Sequence, residues 1–408
     1  MVSTLNKKDS WEWRGWYVAL ISAVTAAVSA ASASQFSTTL APLAQKLGVA
    51  EDAIALSDPL KSAVVVAAML MAPTVIKKCG WRVVYILSLL SFLIPQSLMP
   101  YAPTYAVFLG LKALQGFSAL MFPLLLALIM EWNESHHMGL ATSIFTGIFY
   151  AGGAVGGTIA GFATIHSGWA FSYHILSIMM TVLSAVFLLT VSSKQAAPID
   201  EGQPQDKGAY RSVVQNKLTW FLVIAFLPTI WTIQAIWADM VPFGLGLGYS
   251  ESETGGIMGI SAVAILIAAL ISGKVSDLFS KGSAHKLNAR IKVLSVGIVL
   301  IALGILAMFA IDMRAPGLFA FNAVTFLLSF GAAWGLGAFY CIIPEVYEGE
   351  KVTVANGFIG GVADMAMPLS PIVMAVVGIG MNQWHLAWLS CVGVCLVGLW
   401  AAYKIIKR

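Results

Sequence analysis

Apolar runs long enough to cross a lipid bilayer recur twelve times along this chain. A helix of about 20 residues spans the roughly 30 Å hydrocarbon core of a membrane. Lipid offers the backbone no hydrogen bonds, so such runs must cross as helices that bond their own amides. We therefore predict an all-α membrane protein with helices at 16–43, 53–76, 82–100, 104–130, 138–164, 170–191, 217–246, 253–276, 289–311, 317–341, 352–379 and 384–405.

Composition argues against a water-soluble fold. Of the 408 residues, 59% are hydrophobic and 10% are charged, whereas a soluble domain carries about a quarter charged residues. So few charges could not cover the surface of a soluble protein of this size. None of the four cysteines is spaced as a zinc ligand, so we interpret them as small apolar packing residues.

A polar stretch divides the twelve runs into two sets of six. We expect a six-helix bundle at 1–191, a cytoplasmic linker at 192–215 and a second six-helix bundle at 216–408. Residues 1–15 are polar and basic and do not look like a cleavable signal peptide, so the first helix is expected to direct insertion.

Lysine and arginine predict the orientation. If the amino terminus is cytoplasmic, 19 of the 23 basic residues fall on the cytoplasmic side. Lys46 and Arg314 fall outside, and Lys61 and Lys112 fall inside helices. Since basic residues concentrate in cytoplasmic loops, this bias predicts cytoplasmic termini and supports an even helix count. We expect the protein to lie in the cell membrane.

The two halves resemble each other weakly. Residues 131–161 and 345–375 each run from a glutamate through a short polar loop into a helix rich in glycine or proline. A repeat of six plus six helices places a substrate path between the halves, near the membrane midplane.

Three motifs connect the chain to a known family. The most specific is GKVSD at 273–277, in which a glycine allows close helix approach and an aspartate can pair with a helix end. A degraded first copy keeps Gly80 and Arg82. The second motif is KALQG at 112–116, and the third is the run of glycines at 147, 152, 153, 156, 157 and 161.

These motifs resemble those of the major facilitator superfamily over nearly the whole chain. The resemblance implies a transporter that works by alternating access, with Gly273, Asp277 and Arg82 as a conformational latch on the cytoplasmic side. The opening WRGWYVAL and the short linker are similar in style to the organic-anion and monocarboxylate branches. The glycine run is typical of exporters and antiporters, but small residues at this spacing also serve tight helix packing.

Ionisable side chains at membrane depth are functional candidates, because burying them in lipid is costly. Lys112 and Lys61 could bind a substrate anion, and members of the family that this chain resembles often have an arginine at the position of Lys112. Alternatively, Lys112 forms an internal ion pair, and Lys61 pairs with Asp58 three residues earlier on the same helix face.

Asp364 lies in the middle of its helix with no basic residue near it in sequence. A desolvated carboxyl group favours its neutral form, which suits a proton carrier. The alternative is an ion pair with Lys112 or Lys61 from the opposite half. Asp58 and Asp239 are further candidates for proton coupling.

Polar and aromatic side chains at membrane depth are candidates for the wall of a substrate cavity. Each of them could equally form a helix–helix hydrogen bond, or, for the tryptophan, part of an interfacial belt. The candidates are Gln35, Tyr150, Gln234, Trp231 and Asn322.

We predict a secondary transporter of a small organic anion that is driven by protons or by exchange. The alternative is a proton-antiport exporter of drugs or amphiphiles. Motifs of hydrolases, metalloproteases and ATPases are missing from the sequence, so we expect neither an enzyme nor an ATP-driven pump. We expect a monomer in the lipid bilayer, with no cofactor, metal or nucleic-acid partner.

Overall fold

The computed structural model describes residues 2–133, 138–192, 207–281, 283, 285–310, 317–348, 350–381 and 383–408. Every regular element within these ranges is helical. The described residues leave out most of the predicted linker (193–206). They also leave out the adjacent histidines His136 and His137, and Arg314.

Twelve helical spans in the described ranges are long and apolar enough to cross a membrane, which confirms the predicted fold class. Each predicted boundary lies within about five residues of the observed one. We number these spans 1 to 12 in chain order: Trp13–Thr38, Glu51–Cys79, Trp81–Tyr101, Tyr105–Trp132, Leu140–Ser167, Trp169–Thr190, Lys217–Gly246, Ser252–Lys281, Lys286–Phe309, Leu318–Ile343, Val354–Gly378 and Trp384–Ile406.

Eight spans are parts of continuous α-helices, whose full bounds are Val2–Thr38, Met138–Ser167, Trp169–Thr190, Lys217–Gly246, Glu251–Lys281, Lys286–Ala310, Leu318–Val346 and Trp384–Ile406. Span 2 comprises Glu51–Ala55 and Ser57–Cys79, and span 3 comprises Trp81–Leu98 and the 3₁₀ turn Met99–Tyr101. Two short helices, Leu40–Leu47 and Lys207–Gln215, lie outside the spans.

Spans 4 and 11 change their helical geometry at mid-membrane. Span 4 comprises Tyr105–Gly116, the 3₁₀ segment Phe117–Leu120 and Met121–Trp132. Span 11 comprises Glu350–Ala363, Ala366–Val373 and the π-helical segment Met374–Gly380. Both breaks precede a proline, Pro123 or Pro368, by a few residues. Because proline has no amide proton, the carbonyl four residues earlier must find another partner, which favours a local change of helix type.

The first span ends earlier than predicted. The sequence predicts a helix to residue 43, but span 1 ends at Thr38 and a separate helix begins at Leu40. Pro42 explains the break, since it cannot donate to the carbonyl of Thr38.

Several pairs of spans bring the halves together, among them spans 5 and 8 and spans 2 and 11. Spans 5 and 8 lie against each other from Thr158, whose hydroxyl donates to the carbonyl of Gly255 at 2.9 Å, to the contact between Ser143 and Gly273. Spans 2 and 11 meet where Gly357 faces Pro73. The second and third of these contacts lie toward the side that carries both chain termini. These two contacts hold the halves together between the membrane middle and the side that carries the termini.

Candidate functional site

A cavity of about 100 Å³ lies between the halves at mid-membrane depth. Spans 1, 2, 4 and 5 of the first half and spans 7, 10 and 11 of the second half form its walls. Most of the wall is aromatic or apolar. The lining side chains of this kind include Met69, Met121, Phe122, Phe149, Tyr150, Trp237, Tyr340 and Met367.

Aromatic rings from both halves contact each other at this larger cavity. The ring centres of Tyr150 and Trp237 are 5.6 Å apart, and those of Phe122 and Tyr340 are 6.0 Å apart. Both pairs join the first half to the second. The Phe122–Tyr340 contact lies toward the terminus-bearing side, so it separates the cavity from that side.

Two carboxyl groups and one amine line the larger cavity: Asp58 and Lys61 of span 2 and Asp364 of span 11. Lys61 is the one basic residue among the described residues of the wall. Its Nζ lies 3.4 Å from Ser32 Oγ. Asp364 is 5% exposed and occupies the break between the two α-helical segments of span 11. Its carboxylate has no basic partner within ion-pair distance in the described part of the chain.

Asp58 joins two spans of its own half to a span of the other half. Lys112 Nζ donates to Asp58 Oδ1 at 3.1 Å and lies 3.2 Å from the centre of the Phe36 ring. Gln234 Nε2 of span 7 lies 3.5 Å from Asp58 Oδ2, a long and weak hydrogen bond. Lys112 is 1% exposed, so its charge is balanced by the carboxylate and the aromatic face instead of by solvent.

A second, smaller cavity of about 20 Å³ lies next to the first, displaced toward the side opposite the chain termini. Asp58 and Gln234 line both cavities. Asp239 lines only the smaller one and is 4% exposed. Within the described residues, Asp239 Oδ2 has no hydrogen-bond partner.

Comparison with known proteins identifies the family. The model of the Major Facilitator Superfamily matches residues 21–287, which is well over half of the 408-residue chain. The chain belongs to the Major Facilitator Superfamily. It is also similar to Uncharacterized MFS-type transporter YcxA of Bacillus subtilis (strain 168), with 24% identity over 323 residues that cover 76% of this chain and 74% of that protein.

Membership of the Major Facilitator Superfamily supports a multi-pass membrane transporter and confirms the resemblance at the level of the family. The larger cavity lies where a superfamily transporter with two six-helix halves is expected to hold its substrate. Neither comparison specifies an organic anion or a coupling ion.

The structure changes the interpretation of the two buried lysines. Lys112 lines neither cavity, and Asp58 occupies its ammonium group, so the ion-pair alternative fits better than direct substrate binding. The alternative in which Asp58 and Lys61 form a local ion pair is not seen in the described residues, because the ion-pair partner of Asp58 comes from span 4. The alternative in which Asp364 pairs with either lysine is also not seen in the described residues.

Three of the predicted wall residues, Trp231, Asn322 and Gln35, lie elsewhere. Trp231 is buried and its carbonyl accepts from Ser370 Oγ at 3.1 Å, but it lines neither cavity and forms no interfacial belt. Asn322 lies near the beginning of span 10, away from both cavities. Gln234 and Tyr150 do line the larger cavity, as predicted from their type and depth.

Gln35 belongs to a chain of buried hydrogen bonds inside the first half. Gln115 donates to Gln96 at 2.9 Å, Gln96 donates to Gln35 at 2.7 Å, and Gln35 donates to Ser172 at 3.0 Å. These residues lie on spans 4, 3, 1 and 6. The chain therefore ties four spans together, and its amides are occupied by each other instead of by a substrate.

The predicted latch consists of two separate features. Asp277 accepts from Arg290 at 3.1 Å, and Arg290 also donates to Glu345 at 2.8 Å, which ties spans 8, 9 and 10 within the second half. Gly273 provides the contact between the halves, since a Cβ there would lie 2.8 Å from Ser143 Cβ. Arg82 is exposed and lies over the ring of its neighbour Trp81, so it takes no part in this group.

Several residues at these sites were not predicted. Phe36 beside Lys112 and the aromatic wall formed by Phe122 and Phe149 look like ordinary apolar helix residues in the sequence. For Arg290 and Glu345 a usable signal existed, since the topology places both near the same membrane surface as Asp277.

Proposed function

We propose that this protein is a secondary transporter of a small organic anion of the carboxylate type. The observation that carries the proposal is Lys61, the one cation on the described wall of the larger cavity. Because Asp58 neutralises Lys112, the ammonium group of Lys61 is the one available to a substrate carboxylate. The surrounding aromatic and methionine side chains suit the apolar part of such a substrate.

Asp364 is the proposed proton-binding group. It faces the same cavity from the opposite half, at a break in span 11. A proton on Asp364 neutralises a buried carboxylate, and an anion at Lys61 neutralises a buried ammonium. Loading both therefore leaves the cavity with no unbalanced charge at these two residues, which favours moving the two ions together. We further propose that both chain termini are cytoplasmic.

Export of drugs or amphiphiles is the second candidate, and it rests on the apolar wall of the larger cavity. The glycine run no longer supports it. Gly152 and Gly156 lie against Ala27 and Ala31 of span 1, and Gly147 lies against Ala269 of span 8. These contacts explain the small residues through helix packing.

Exchange in proteoliposomes tests the anion proposal. Vesicles containing the purified protein are preloaded with members of a panel of small carboxylates and amphiphilic cations, and entry of the labelled compound is measured. Lys61→Met should lower exchange at least about tenfold, which corresponds to about 1.4 kcal/mol of lost interaction, while Lys61→Arg should retain most of it. Wild-type exchange in Lys61→Met would contradict the assignment, and a response only to amphiphilic cations would favour the exporter.

A second variant tests the proton site. Asp364→Asn should abolish accumulation driven by a pH gradient, since asparagine cannot take up the proton, yet it should leave exchange in place. Gradient-driven accumulation at the wild-type level would remove Asp364 from the mechanism.

A further inference from the structure

The smaller cavity carries more buried negative charge than its neighbours balance. Asp58 and Asp239 both line it, and both are at least nine-tenths buried. Lys112 is the ion-pair partner of Asp58. Asp239 has no basic partner within ion-pair distance among the described residues. When Asp239 is ionised, one negative charge is left at membrane depth, where an uncompensated charge is strongly unfavourable.

The hydrogen bonding of Asp239 points to the same deficiency. Its Oδ2 is buried and has no hydrogen-bond partner within the described chain. A buried polar atom of this kind calls for an ion or a water molecule. Protonation of Asp239 is the competing way to remove the charge, and the sodium measurements below distinguish the two. A water molecule would satisfy the oxygen but leave the charge. A small cation balances the charge and also gives the unpartnered oxygen a ligand contact.

The size and lining of the cavity suit one ion. Its volume of about 20 Å³ exceeds the roughly 10–15 Å³ that one water-sized sphere requires. Gln234 and Ser37 add an amide and a hydroxyl group to the two carboxylates. Ser37 Oγ donates its proton to the carbonyl of Ser34 at 2.9 Å, which leaves its lone pairs free. Carboxylate, amide and hydroxyl oxygens are ligands for hard cations.

We propose that the smaller cavity is a binding site for one sodium ion, held by Asp239, Asp58, Gln234 and Ser37 from spans 1, 2 and 7. The ion joins the two halves on the side opposite the chain termini, because Asp239 and Gln234 belong to the second half and the other two to the first.

The charges of the two cavities support a single monovalent ion. Together with Lys112, the described groups there are two lysines and three aspartates. With a proton on Asp364 and an organic anion at Lys61, one negative charge still remains. A monovalent cation brings either state to neutrality, while a divalent ion overcompensates. The site does not depend on the proposed substrate, since sodium binding is measurable without any substrate.

Thermal unfolding of the purified full-length protein, without substrate, tests the site. Melting temperatures are compared in sodium, potassium and choline chloride at equal ionic strength. Sodium should give a saturable rise on the order of 2 °C that potassium and choline do not give. Asp239→Asn, which keeps the side-chain shape, should lose this rise. Asp52→Asn removes an exposed carboxylate of span 2 and should keep it.

Direct binding of ²²Na⁺ to the wild-type protein keeps the proposal testable if Asp239→Asn does not fold. One ion per chain is expected, and Ser37→Ala should raise the dissociation constant for sodium several-fold. An equal rise with potassium, a sodium effect that persists in Asp239→Asn, or no ²²Na⁺ binding would each overturn the proposal. Failure of anion exchange with intact sodium binding would overturn only the proposed function.

Discussion

Asp58 shows how one residue can connect helices that lie far apart in sequence. Its two carboxylate oxygens face Lys112 of its own half and Gln234 of the other half. The residue also lines both cavities. Any ion or substrate that binds there changes the electrostatic environment of a group that belongs to the contact between the halves.

Lys112→Met should destabilise the fold because it leaves Asp58 buried without its cation. Removing one member of a buried pair costs about 3–5 kcal/mol, whereas replacing both members is often close to neutral. The double variant Lys112→Met with Asp58→Asn should therefore recover most of the lost stability. Thermal unfolding in mild detergent measures the stability of the single and the double variant. Equal stability of Lys112→Met and the wild type would show that the pair contributes nothing to folding.

At the scale of the helix, the glycines of span 5 and the prolines of spans 4 and 11 have different physical roles. The glycines allow three neighbouring spans to approach one helix closely. Gly152 and Gly156 face span 1, Gly147 faces span 8, and Gly153 lies beneath the Trp237 ring of span 7. The prolines instead interrupt the backbone hydrogen bonds at mid-membrane depth, where Ser118 and Asp364 line the larger cavity.

Gly156→Ala should destabilise the protein by about 1–3 kcal/mol, a typical range for overpacking. A Cβ at this position would collide with the Ala31 backbone, including its carbonyl carbon at 2.6 Å. Gly110→Ala is the matched control, because a Cβ there meets nothing within 4 Å. Melting temperatures of the two variants give the comparison. A melting temperature for Gly156→Ala at or above that of the control would contradict the packing explanation.

At the scale of the whole molecule, the two halves touch on both sides of the cavities. Toward the chain termini, Gly273 and Gly357 lie against Ser143 and Pro73. Toward the opposite side, Thr158 donates to Gly255. Alternating access, which the family implies, requires that one of these sets of contacts opens while the other stays closed.

A disulfide between Thr158→Cys and Gly255→Cys should block transport by holding spans 5 and 8 together. A Cβ at Gly255 would lie 3.9 Å from the Thr158 Cα, which is close enough for a bridge with little movement. The experiment uses a chain whose four native cysteines are replaced. Oxidation should abolish anion exchange, and reductant should restore it. Exchange by each single cysteine variant should be insensitive to oxidation. Unchanged exchange in fully cross-linked protein would rule out separation of the spans at this point.

The spans and their number could be predicted from the sequence alone. Hydrophobic length and local backbone bonding decide whether a segment crosses a membrane, and both are properties of consecutive residues. The depth of Gln234, Tyr150 and Asp364 followed in the same way, because each residue rises a fixed distance along its helix. Rotation about the helix axis did not follow, since nearly all faces of these spans are apolar.

Only the tertiary structure decided which buried groups meet. Lys112 had candidate partners in both halves, and packing of span 4 against span 2 placed Asp58 beside it. Gln35 and Trp231 lie at suitable depths, yet their helices turn them away from both cavities. A pairing between distant helices depends on how the helices pack and rotate, and an apolar sequence carries little of that information. The sequence thus determined a twelve-span membrane protein of this family, and the packing of its helices left Lys61 as the cation that faces the cavity.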